Sequence, residues 1–252
     1  MTDVSQQFQP VRSVGQFGTT ENTGPESYMW NIAGPLGILQ GELHFHVFDM
    51  CRHHQVMYGD LNRRIALFDA EFASYTKMLD AERANVTDDN REAFMVHESR
   101  IKDSFLSRDM EIDRVRHFTD EYTVIGLWAT AERFLGKVLA NIEALQSGVD
   151  VASVSRPYRW GDFKTAYTHK SIDLTALNGY ADADECRVLN NTIKHTETVN
   201  QRLARFSYFT PFKNKLLAGI DFEMQRYVTG VFNFVGSLIE SGNRLLDPNF
   251  NY

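Results

Sequence analysis

Residues 111–146, EIDRVRHFTDEYTVIGLWATAERFLGKVLANIEALQ, are the longest stretch of the chain with a helical period. Val115, Phe118, Tyr122, Ile125, Trp128, Phe134, Val138, Ile142 and Leu145 recur at three- and four-residue spacing. They draw one wide apolar stripe, and so broad a face belongs to a helix at the centre of a domain.

Working outward, the period stays helical. Residues 36–58 follow Pro35, a helix-entry residue, and place Ile38, Leu39, Leu43, Val47, Met50 and Met57 near one stripe. A second helix is expected from Asp60, read as its N-cap, with Leu61, Ile65, Phe68, Phe72, Tyr75 and Leu79 inward. Residues 87–107 read as a more polar, peripheral helix. After 146, the run QSGVDVASVSRPYRWGD reads as a connection. Helices are expected at 161–169, 181–204 and 214–246, interrupted near Pro211. The last carries Leu216, Ile220, Met224, Val228, Val231, Phe234, Val235 and Leu238. No run alternates with period two. The expected fold is all-α, an up-and-down helical bundle with additional N-terminal helices. One domain should span 28–252, behind a flexible segment 1–27 rich in Gln, Thr, Ser and Gly.

Apolar residues at 43% and charged residues at 23% suit a globular protein, and the net charge of −7 argues against a chain-wide basic coat for nucleic acid. Cys51 and Cys186 make neither a disulfide framework nor a zinc spacing. The N-terminus has no secretory leader and no stretch is long enough to span a bilayer, so a soluble protein of the reducing cytoplasm is expected. No glycine-rich phosphate loop follows a strand, and no cofactor is implied.

The chemistry concentrates in residues 187–195, RVLNNTIKH. On a helical wheel with Arg187 at zero, Lys194 falls at about −20°, Thr198 at about 20°, Asn191 at about 40°, His195 at about 80° and Asn190 at about −60°. Cys186, Leu189 and Ile193 take the opposite side. Arginine offers a fork for phosphate, lysine a point charge and histidine a movable proton. Together they suit cleavage of a phosphodiester by its own 2′-hydroxyl, which needs no metal. The plainer alternative is the solvated side of an ordinary helix.

The stretch DFKTAYTHKSIDLTALNGYADADECRVLNNTIKHTETVNQRLA (162–204) resembles the motif region of HEPN-type helical domains. The resemblance implies a bundle that forms a homodimer with its motif helices side by side. In active members, often toxins or antiviral effectors, paired Arg and His residues make a metal-independent endoribonuclease. By position, Arg187 matches the motif arginine, Asn191 or Asn190 the polar residue and His195 the motif histidine. This chain has seven residues between Arg187 and His195, where the family usually has four to six. The departure keeps open a non-catalytic module that dimerises or binds a nucleotide or protein partner.

Around the motif, residues 187–226 hold seven basic and three acidic side chains, a local balance of +4. Lys194, Arg202, Arg205 and Lys213 are the candidate RNA contacts. Phe206, Tyr208, Phe209 and Phe212 interleave with them, as either a stacking surface for single-stranded RNA or a plug for the bundle's end. In HFHVFDMCRHH (44–54), His46, Asp49 and His53 share one helix face and His44 and His54 point elsewhere, so interface or surface histidines are preferred to a metal site. Glu132, polar within an apolar helix, is a candidate to orient Arg187. Cys186 falls on the apolar side of its helix.

Overall fold

The computed structural model describes residues 34–250; the segment 1–27, expected to be flexible, lies outside them. The described residues form five α-helices: α1 (Gly37–Arg83), α2 (Arg91–Ser147), α3 (Trp160–His169), α4 (Tyr180–His195) and α5 (Met224–Leu246). No strand is present among them, and only an isolated antiparallel bridge joins Thr198 to Leu216. The fold is all-α. No helix among the described residues is long and apolar enough to cross a membrane.

Two expected helix pairs are fused. Asp60 does not cap a helix but sits inside α1, where its carboxylate pairs with Arg63 and Arg64 one turn on. The expected peripheral helix at 87–107 runs unbroken into the central one as α2. The two long helices pair as a hairpin whose turn Asn90 ties, accepting from Thr87 N at 2.6 Å and donating to Asn85 O at 3.3 Å.

The hairpin has two halves. One forms an arm with a thin seam, in which Phe68 and Leu79 of α1 and Phe105 of α2 are buried. The Phe68 and Phe105 rings pack edge to face at 5.4 Å. Phe72 and Tyr75, expected inward, flank this seam and are exposed. The other half joins the bundle: Leu39, Leu43 and Val47 of α1 and Leu127, Phe134, Val138 and Ile142 of α2 enter one core with α4 and α5. Ile38, Phe118, Tyr122 and Leu145, read as stripe positions, face solvent. A stripe fitted to the whole of a long helix fails because its partners cover only part of it. Where the halves meet, Asp120 Oδ1 accepts from Tyr58 Oη at 2.6 Å and pairs with His54 Nε2 at 2.9 Å, all three buried. Burial and this carboxylate push the Tyr58 hydroxyl above its usual range.

α5 packs on α1, α2 and α4, and nearly every residue of its stripe is buried. Arg226 clamps it to α4, donating to Asp182 at 2.6 Å and to Glu185 at 2.5 Å, while Tyr227 Oη donates to Glu185 at 2.7 Å. The helix begins at Met224, not 214, so Leu216 lies outside it and is exposed.

Likewise α4 ends at His195 and does not continue to 204. Thr196 and Glu197 both donate to Thr192 O, at 3.0 and 3.1 Å, and Glu197 takes the left-handed conformation at φ 52°. The chain therefore reverses, and Thr198 leaves the helical face. Three 2.9 Å backbone bonds then hold it: Val199 N to Lys215 O, Asn214 N to Val199 O, and Leu217 N to Glu197 O. A left-handed glutamate carries strain that glycine would not. We expect Glu197→Gly to raise stability by about 0.5–1 kcal/mol, the relief of strain less glycine's greater chain entropy. Thermal unfolding should show a midpoint roughly 2 °C higher, and a lower midpoint would contradict this account of the reversal.

Candidate functional site

The reversal after α4 folds the segment 196–205 back along the helix that precedes it. Asn200 fixes this return: its Oδ1 accepts from Arg202 N at 2.9 Å and Leu203 N at 3.0 Å, and its Nδ2 donates to Thr192 Oγ1 at 3.3 Å. Between helix and return lies a groove of about 570 Å³. Arg187, Asn191 and His195 line it from successive turns of α4, above a floor of Val188 and Thr192. Thr196, Asn200, Gln201, Arg202 and Arg205 line the other side. Three arginines and a histidine thus share one concavity, with no carboxylate in its lining. In a chain of net charge −7 this is a local concentration of cationic side chains.

The charge is held in a definite way. Asp184, one turn before Arg187, takes two bonds on Oδ1 from the Arg187 Nε (2.9 Å) and Nη2 (2.6 Å), while its Oδ2 accepts from Arg205 Nη2 at 2.8 Å. One carboxylate, 11% exposed, thereby joins a helix arginine to a loop arginine. The Arg187 guanidinium also lies over the Trp160 ring at 5.3 Å. A fork gripped on one edge and covered on one face can move little, and its Nη1 has no partner among the described residues. Arg202 carries no ion pair among them, which leaves its charge to the groove. Close by, burial and the Asp184 carboxylate raise the Tyr180 hydroxyl above its ordinary value.

Of the residues singled out from sequence, Arg187, Asn191, His195, Arg202 and Arg205 line this groove. Lys194 and Lys213 are exposed but do not line it. Asn190 does not belong to the polar face. It is buried, with its Nδ2 at 3.4 Å from Asn191 Oδ1, because α2 and α5 cover that side of α4. The Arg187 orienter is Asp184 rather than Glu132. Asp184 is legible as an i−3 acidic neighbour and Asn200 as a turn residue that accepts from the backbone two and three residues on, whereas Trp160 acts through tertiary placement that no local pattern announces.

The aromatic run is a plug. Phe209 is fully buried, Phe206, Tyr208 and Phe212 pack against the core, and Tyr208 Oη donates to Asp221 O. On the histidine-rich face of α1, His46 meets Phe134 edge-on at 5.8 Å, and the exposed His53 lies against the exposed Tyr122. His44 and His54 are buried. No cluster of three His, Cys, Asp or Glu among the described residues is placed to hold a metal. Cys51 and Cys186 are both buried, with the Cys51 thiol pushed up to about 12 by desolvation, so neither is poised as a nucleophile. No protein family, curated protein or solved structure matches this chain.

Proposed function

We propose that the groove binds the phosphodiester backbone of single-stranded RNA and, in a homodimer, cleaves it without a metal, as the HEPN resemblance implies. The observation that carries this reading is the gathering of Arg187, Asn191, His195, Arg202 and Arg205 in one carboxylate-free concavity. In the reaction, the 2′-hydroxyl loses its proton to an imidazole and its oxygen attacks the adjacent phosphorus. The bond to the 5′-oxygen breaks and that oxygen takes up a proton. The products are a 2′,3′-cyclic phosphate and a 5′-hydroxyl. Arg187 and Arg202 offset the charge that grows on the phosphoryl oxygens, and Asn191 orients the 2′-hydroxyl or phosphate.

Two copies are part of the proposal for a geometric reason. Arg187 and His195 are eight residues apart, about 12 Å along the helix axis. Arg187 is turned toward Asp184, one turn further from His195. A second α4 laid antiparallel alongside would bring its own His195 beside Arg187 and meet both needs at one phosphate. The test uses purified protein, single-stranded RNA and excess chelator. Cleavage leaving cyclic phosphate ends is the expected result, and its absence across varied RNAs would remove the nuclease reading.

A second reading is favoured by the double bond from Arg187 to Asp184, which spends part of the guanidinium on the protein itself. On this reading the groove is a non-catalytic anion site of a dimerising or partner-binding module. RNA binding with no cleavage, weakened by Arg202→Ala, would select it.

A further inference from the structure

The groove supplies cations but no exposed ring on which a base could stack, since the aromatic run 206–212 is turned into the core. Such a ring stands at the other side of Arg187. The guanidinium that faces the groove covers Trp160, and two residues before Trp160 the chain presents Tyr158, 77% exposed and more open than any other large apolar side chain described. Its segment is anchored at both ends. Arg156 lays its stem along α2 beside Gly136, where a Cβ would come within 3.5 Å of Arg156 Cδ, and Trp160 packs against Trp128 at 5.6 Å. Tyr158 between them is thus held out into solvent by a fixed backbone, with the Arg159 guanidinium over its ring at 5.4 Å. Neither Arg156 nor Arg159 pairs with a carboxylate among the described residues.

We infer that residues 156–159 extend the groove as a track for a single-stranded nucleic acid, with a base stacked on Tyr158 and its phosphate against Arg159. An open ring flanked by two unpaired arginines is the combination that such strands use, ring face for base and cation for backbone. Register follows from chain length: Tyr158 lies within about 7 Å of Trp160 along the backbone, and Trp160 lies under Arg187. The stacked base therefore belongs to a nucleotide one or two places from the phosphate at Arg187. The track specifies an unpaired strand, because a duplex keeps its base faces stacked on one another.

This inference rests on the groove's being a phosphate site, and the experiment keeps the two apart. Affinity of full-length protein for a short single-stranded RNA is measured by titration for the native protein and for Tyr158→Ala, Tyr158→Phe and Arg202→Ala. The native protein should bind, Tyr158→Ala should weaken binding about tenfold, Tyr158→Phe should restore it, and a blunt duplex of the same length should bind more weakly. An abasic nucleotide at the matching position should weaken the native protein and leave Tyr158→Ala unaffected. If Arg202→Ala weakens binding while Tyr158→Ala does not, the track is overturned and the groove stands. If no RNA binds, both fall. A Tyr158→Ala protein that loses dimerisation instead would reassign the ring to a protein contact, which also overturns the track.

Discussion

Gly179→Ala is expected to destabilise the protein by about 3–4 kcal/mol, the sum of a left-handed strain and a steric clash. Gly179 precedes α4 at φ 79°, and a Cβ there would sit 2.3 Å from Gly230 O and 2.8 Å from Phe234 N. Both atoms are backbone of α5, so no rotamer change relieves the contact. The reciprocal approach is equally close: a Cβ on Gly230 would meet Asp182 Cβ at 2.3 Å. The start of α4 is therefore seated directly on α5, which Arg226 reinforces through Asp182 and Glu185. Other glycines separate the two contributions. Gly148 has φ 67° with nothing near its Cβ position, and Gly219 has neither strain nor neighbours. Gly148→Ala should cost about 1–2 kcal/mol from strain alone, Gly219→Ala close to nothing, and Gly179→Ala visibly more than either. The thermal midpoint of Gly179→Ala should fall by about 10 °C. Equal losses at positions 148 and 179 would show that α4 can shift without penalty, and the close seat would then be no constraint. Because α4 carries Arg187, Asn191 and His195, the same substitution should also disturb the groove.

What the sequence reveals about this architecture depends on the range of the interaction responsible. The all-α class is written in the period of residues 111–146, and the burial of Trp128, Phe134, Val138 and Ile142 is that period made physical. Asp60 predicts a helix start that α1 does not have, because its local capping tendency is weak beside the continuous helical pairing of α1 with α2 across the turn at Asn90. The end of α4 departs from expectation for a related reason. The residues TETVNQRLA hold no glycine or proline to mark a break, although Thr, Val and Asn are weak helix formers; the reversal comes from Glu197 in a left-handed conformation, from the turn at Asn200 and from backbone bonds to 214–217, fifteen to twenty residues away. That difference bears on the site. The expected helix 181–204 would carry Arg202 onward along its axis, yet Arg202 and Arg205 reach the groove because the helix stops at His195 and the chain returns. Arg187, Asn191 and His195, in contrast, share the groove for the reason the wheel gives, since α4 is regular from Tyr180 to His195.

His195→Ala should lower RNA cleavage by about 10²- to 10⁴-fold, the usual worth of a positioned proton carrier, with affinity for RNA nearly kept. The substitution separates proton transfer from charge. His195 lines the groove at the last turn of α4 and makes no ion pair among the described residues, so its removal should leave the fold and the Arg187–Asp184–Arg205 linkage intact. Lys194→Ala is the matched control: its neighbour in sequence is exposed but does not line the groove. It should change cleavage little. The stronger form of the experiment combines two inactive chains. If each site takes Arg187 from one copy and His195 from the other, a dimer of an Arg187→Ala chain with a His195→Ala chain holds one site with both residues intact and one with neither. Half of the dimers formed from an equal mixture are of this kind, so the mixture should recover about a quarter of the native rate. Were both residues drawn from a single copy, every site in the mixture would lack one of them and no activity would return. Full loss in the mixture alongside an active native dimer would therefore overturn the shared site while keeping His195 as its proton carrier. Cleavage by His195→Ala at the native rate would remove the imidazole from the reaction and leave the groove as a binding surface only.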